Sequence, residues 1–174
     1  MTWKLDNSHT KVGFAVRHMM ISKVRGDFKS FEADIDLDPS DLAGSSIKAK
    51  IDVSSIDTND EKRDGHLLSE DFFAADEYPT IEFNSTELRD NGDGAVEIAG
   101  DLTIRGVTRP IVLTGEQLGP AQSPWGGLSV GYSLTGEVNR EDFGLSWNQA
   151  LETGGVLVGK KVEIIVEAEA AEAE

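Results

Sequence analysis

Apolar and polar residues alternate along most of this chain. From Thr10 to His18, Val12, Phe14, Val16 and His18 share one phase, and Lys11, Gly13, Ala15 and Arg17 the other. A period of two marks a strand with one buried face. Met19-Met20-Ile21 breaks the period and predicts a helical turn. Val24, Gly26 and Phe28 resume it. Phe31, Ala33, Ile35 and Leu37 then alternate one residue out of phase, which predicts a β-bulge inside a single strand. Asp38-Pro39-Ser40-Asp41 reads as a turn, and Ile47, Ala49, Ile51 and Val53 form the next strand.

The second half repeats the pattern more cleanly. Asn91-Gly92-Asp93-Gly94 predicts a hairpin turn, because these residues tolerate positive φ. Val96, Ile98, Gly100, Leu102 and Ile104 lead to a turn at Arg105-Gly106, and Ile111, Leu113 and Gly115 return. Beyond a loop from Gly119 to Gly127 come Val130, Tyr132, Leu134, Gly136 and Val138. Residues 142–155 look irregular, and Val162, Ile164, Val166 and Ala168 close the series. About eight short antiparallel strands predict a sandwich or a barrel. Gly100, Gly115 and Gly136 fall on the apolar phase, where they would give room or permit sharp coiling, and this favours the barrel.

One stretch does not alternate. Ser54–Phe83 concentrates Asp57, Arg63, Asp64 and His66 beside Leu67, Leu68, Phe72 and Phe73. Ser69-Glu70-Asp71 resembles a helix N-terminus, with a capping hydroxyl and acids at the positive end of the dipole. The stretch predicts a short helical crossover whose apolar side covers one end of the barrel and controls access to it.

The 174 residues suit one domain, placed at 1–168, with 169–174 as a frayed acidic tail. A net charge of −16 argues against nucleic acid and against anionic lipid surfaces, whose phosphates it would repel, and no run approaches the ~18 apolar residues of a membrane span, so no stable membrane insertion is expected. No cysteine is present, which removes thiol catalysis and cysteine–metal chemistry. The three histidines, His9, His18 and His66, have no close ligand spacing, so no metal site is expected. The N-terminus shows no basic and apolar leader, which gives a cytoplasmic expectation. No Gly-x-Ser-x-Gly or phosphate-binding glycine motif occurs, and no catalytic residue is assigned.

Nine segments occur together: Trp3-Lys-Leu-Asp6 with Ser8-His9; Phe14 to His18; Gly26-Asp-Phe28; Asp52 to Thr58; Arg63-Asp64-Gly-His66-Leu67; Asp71-Phe72-Phe73; Tyr78 to Phe83 with Ser85-Thr86; Gly100 to Thr108; and Arg140 to Gly144. In this order they resemble the YceI-like family, across nearly the whole chain. The resemblance implies an all-β, eight-stranded, antiparallel lipocalin-like barrel. It also implies an elongated apolar cavity for a long isoprenoid, in some members a quinone, with no cofactor needed for chemistry.

By strand phase, Phe14, Val16, Phe83, Leu102, Ile104, Leu113, Val130, Tyr132 and Leu134 point inward. Phe28, Leu67 and Phe72 extend the ligand-contacting set, with Met19 and Met20 as adaptable fillers at the rim. His18 is read as a hydrogen-bonded rim histidine or a headgroup contact, and Trp147 as closing the end opposite the crossover. Three alternatives stand beside lipid carriage: a stress-associated module with a packed core, a hydrolase acting on small apolar substrates at Asp64 and His66, and a quinone-linked redox carrier. Flat edges of an incompletely closed barrel would allow a homodimer.

Overall fold

Each alternating segment forms a strand because one of its faces has apolar residues to bury and the other does not. The computed structural model describes residues 2–151 and 156–173. Its strands are β1 (Thr2–Leu5), β2 (Lys11–His18), β3 (Ser22–Phe28), β4 (Phe31–Asp36), β5 (Ser46–Asp52), β6 (Ile56–Asp57), β7 (Thr80–Gly92), β8 (Ala95–Ile104), β9 (Val107–Gln122), β10 (Leu128–Asn139) and β11 (Val158–Ala173). One helix, α1 (Glu61–Leu68), lies between β6 and β7. All ladders are antiparallel, in the order β4-β5-β7-β8-β9-β10-β11-β2-β3-β6, with β1 also on β11.

The sheet curls until its ends are neighbours. β3 passes into β4 through Lys29 and Ser30, β4 pairs with β5, and β6 returns to pair with β3. Ser55 C=O accepts from Lys29 N–H at 3.1 Å, and Ser30 C=O from Asp52 N–H at 3.0 Å. The architecture is the all-β barrel that the alternation predicted, with more strands than eight. The extra count comes from short β1 and β6 and from the interruption at residues 29–30. That interruption is a strand break rather than the predicted bulge, since β3 and β4 have different partners.

Three further expectations change. The tail is ordered strand through Ala173: Leu5 pairs with Ala170 and Thr2 with Ala173, and Ala170 is buried. The alternation of Glu167-Ala168-Glu169-Ala170 simply continues the strand, and β1 supplies a partner; Glu174 lies outside the described residues. The predicted loop from Gly119 narrows, because β9 runs on to Gln122. Met19-Met20-Ile21 is a hairpin turn, not a helical one: Met19 and Met20 have φ of 53° and 65°, and Ile21 N–H donates to His18 C=O at 3.2 Å. Residues 152–155 of the predicted irregular stretch lie outside the described residues.

The inward glycines admit close approach by a neighbouring side chain or strand backbone. A Cβ on Gly100 would sit 2.5 Å from the Phe83 ring, so the ring lies over the bare backbone. A Cβ on Gly115 would meet Ser133 C=O at 1.8 Å, which shows how closely β10 coils against β9 there. The room they give is filled by protein.

Candidate site: a two-chambered barrel interior

Two apolar cavities lie end to end inside the barrel. The first, of about 170 Å³, is walled by Phe31, Ile35, Ile47, Phe83, Ile98, Ile111, Leu113, Tyr132 and Leu134, among others. The second, of about 140 Å³, is walled by Phe14, Val16, Phe28, Leu67, Phe72, Phe73, Ile104, Val138, Phe143 and Leu145, among others. Val12, Ile51, Leu102 and Ile164 belong to both walls and form a waist between the chambers. The interior is therefore neither a solid core nor one uninterrupted channel. Polar groups are few. In the first chamber the Tyr132 hydroxyl donates to Gln117 Oε1 at 2.9 Å, and burial pushes its pKa well up.

The crossover closes the second chamber. Asp60, in extended conformation, accepts from Lys62 and Arg63 N–H and starts α1. Ser69 ends the helix instead of starting one: its N–H and hydroxyl both donate to His66 C=O. The chain then turns back and places Phe72 in the core, with Leu67, Leu68 and Phe73 packed against it. Arg63 and Asp64 grip one residue, buried Thr58. Arg63 Nη2 donates to Thr58 C=O at 2.6 Å and Nε to its hydroxyl at 2.8 Å, while Asp64 Oδ1 accepts from Thr58 N–H at 2.9 Å and from its hydroxyl. His66 is engaged elsewhere, 2.8 Å from Asp71 Oδ2 and edge-on to Phe72 and Trp147. Asp64 and His66 thus have separate partners and make no dyad with each other.

Of the residues assigned from strand phase and resemblance, Phe14, Val16, Phe28, Leu67, Phe72, Phe83, Leu102, Ile104, Leu113, Tyr132 and Leu134 line a chamber. Five do not. Val130 is 1% exposed and serves the solid core. His18 sits at the end of β2 outside both walls. Met19 and Met20 stand out in solvent at the hairpin tip, because the turn's positive φ directs them away from the interior. Trp147 packs 5.5 Å from Phe72, on the crossover's own end of the barrel rather than opposite it.

The alternation missed Arg140. Only 5% exposed, it lines the second chamber with its guanidinium carbon 6.0 Å from the Phe72 ring centre. Four of its five N–H groups reach backbone carbonyls: Nε to Gly159 at 2.7 Å, Nη1 to Leu145 at 2.6 Å and Trp147 at 2.9 Å, and Nη2 to Val158 at 3.2 Å. Burial lowers its pKa. These bonds tie the turn after β10 to the start of β11, which fixes the floor of the chamber. The signal available in sequence was Asn139-Arg-Glu-Asp-Phe-Gly144, a capped turn ending in a left-handed glycine at φ 80°.

Among the described residues, one group brings three metal-ligand atoms within 4.8 Å of one another: Asp6, His9 and Glu169, on the outside of the barrel. It is closed on itself, with His9 Nδ1 2.8 Å from Asp6 Oδ2 and 3.1 Å from Glu169 Oε2. Hydrogen bonds from Ser8 and His9 pull the Asp6 pKa down to about 2, and the Asp6 hydrogen bond raises that of His9. The signs are opposite. The Asp6 contribution is present above the ordinary carboxylate pKa and is lost as pH falls toward 2. That of His9 is present below its ordinary pKa and is lost as pH rises through its raised value. An NMR titration should therefore give His9 a pKa above the ordinary histidine value of 6.5, returning toward it in Asp6→Asn. An unchanged value in the variant would show the pairing to be absent in solution.

Comparison with known proteins bears on this geometry. The sequence pattern of the YceI-like domain matches residues 3–170. A UPF0312 protein of Staphylococcus epidermidis is 39% identical over 168 residues, 96% of this chain and 95% of its own. The crystal structure of the Campylobacter jejuni YCEI protein superposes with a TM-score of 0.78 at 34% identity, covering 100% of this chain and 99% of the other. A polyisoprenoid binding domain from Saccharophagus degradans, implicated in plant cell wall breakdown, superposes with a TM-score of 0.70 at 15% identity, covering 98% of each chain, a likeness of fold.

Proposed function

The chain belongs to the YceI-like family, and on that premise we propose that its barrel carries a single long isoprenoid, a polyprenyl chain or an isoprenoid quinone, by burial and without chemistry. The observation that carries this reading is the pair of apolar chambers meeting at a shared waist of Val12, Ile51, Leu102 and Ile164. A compact ligand would use one chamber; a slim chain can thread both. The near absence of polar groups on the walls favours hydrocarbon over sugar or nucleotide. The fold likeness to a polyisoprenoid binding domain points the same way. The separate engagements of Asp64 and His66 support carriage over hydrolysis.

A series of prenols of increasing length tests the reading. Each buried methylene contributes roughly 0.8 kcal/mol, set against an association cost of about 4–15 kcal/mol. Affinity is expected to be unmeasurable for the shortest members, to rise steeply with length, and to level off once both chambers are filled. Affinity independent of length would remove burial as the basis of binding.

A further inference from the structure

The tip of the β2–β3 hairpin departs from what its fold requires. Two successive residues with positive φ call for Asn-Gly or a similar pair, yet the chain places Met19 and Met20 there. They are 42% and 64% exposed, and Ile21 beside them is 79% exposed. Neither strain nor exposure helps the barrel, because none of the three lines a chamber. Backbone strain held at an exposed apolar tip points to a role in contact with something else.

The charge around the tip identifies the contact. Asn7 to Gly26 contains four Lys or Arg and no Asp or Glu, so the other 154 residues hold all 32 acids and the remaining 12 of the 16 bases. Arg17 and Lys23 face each other across the ladder next to the tip, and Arg25 follows on the same face. Like charges directly opposite one another are unfavourable for the sheet itself. Lys23 reaches Glu163 at 3.5 Å; among the described residues Arg17 and Arg25 form no ion pair.

We propose that this tip is a docking surface for an anionic lipid bilayer, with Met19, Met20 and Ile21 entering the interface and Arg17, Lys23 and Arg25 meeting the headgroups. An apolar point flanked on one face by cations has the composition that binds reversibly at a membrane surface. The acidic remainder does not prevent this, because screening at physiological salt acts over about 8 Å and leaves the local cations in control. A second copy of the chain is a poorer occupant. Three side chains fall far short of the roughly 800 Å² per partner of a stable interface, and a two-fold contact would set the cations against one another. The position suits lipid exchange: Met19 N–H donates to Leu157 C=O at 2.7 Å, and the adjoining Val16 and Val158 line the second chamber. Docking at the tip is a property of the surface and does not depend on which lipid the barrel holds.

Flotation of the full chain with vesicles tests it. Vesicles of equal parts phosphatidylcholine and phosphatidylglycerol are expected to carry about ten times more protein than phosphatidylcholine alone, with the difference lost in high salt. The variant Met19→Asn, Met20→Gly, Ile21→Ser supplies the residues that the turn prefers, so its thermal midpoint should hold or rise while flotation falls about tenfold. Wild-type protein that stays off anionic vesicles, or a folded variant that floats equally well, overturns the proposal. So does a concentration-dependent dimer that the variant abolishes without any vesicle binding in the wild type.

Discussion

Val12→Trp is expected to weaken binding of a long isoprenoid by more than a hundredfold while leaving a short prenol almost unaffected. Val12 stands at the waist, on the walls of both chambers, and its side chain is one of four that separate them. An indole there would fill the passage and confine a ligand to one chamber. Losing about four buried carbons at roughly 0.8 kcal/mol each removes about 3 kcal/mol, more than two orders of magnitude in Kd. Displacement of a fluorescent fatty probe by long and short prenols measures both affinities on one sample, with the thermal midpoint as a check on folding. Equal loss for both lengths would mean that the chambers do not act in series.

Arg140→Met is expected to lower stability by about 4 kcal/mol, or roughly 8–16 °C in thermal midpoint for a domain of this size. The thioether has nearly the length of the Arg stem and suits the apolar chamber wall, so lost packing is a minor part of the effect. The larger part is the loss of the hydrogen bonds to Leu145, Trp147, Val158 and Gly159, whose carbonyls join the turn after β10 to the start of β11. Each buried acceptor left alone costs about 1–3 kcal/mol, and local rearrangement recovers part of the sum. Urea denaturation of wild type and variant measures the difference. A variant within about 1 kcal/mol of wild type would show that these carbonyls find other partners or water.

These residues also show where sequence reading succeeds and stops. The strands were legible because each has one buried face, and a period of two survives almost any loop. The inward phase placed Phe14, Phe83, Leu102, Leu113, Tyr132 and Leu134 on the inside of the barrel, and each lines a chamber. Val130 shares their phase but not their role, since phase separates inside from outside and cannot separate a cavity wall from solid core.

The helix limits were misread for a local reason. Ser69-Glu70-Asp71 has the composition of a helix start, but the helix had already begun at Asp60, in a polar stretch with little apolar periodicity to mark it. The buried role of Arg140 escaped the alternation for the opposite reason, although the residue belongs to one of the segments that carry the family resemblance. Two of its four carbonyl partners lie 18 and 19 residues away, and a lone arginine in a polar turn reads as solvated until those carbonyls come into place. At Met19-Met20 the break in alternation was visible, but its direction depended on the positive φ of the turn, which methionine does not advertise.

Mass spectrometry of an organic-solvent extract of the purified protein, run against a mock purification, bears directly on carriage. One isoprenoid or isoprenoid quinone per chain, absent from the mock, is the expected result. An extract free of lipid, from protein that afterwards takes up none of the prenol series, would contradict it and leave the two chambers as packing defects of a structural barrel.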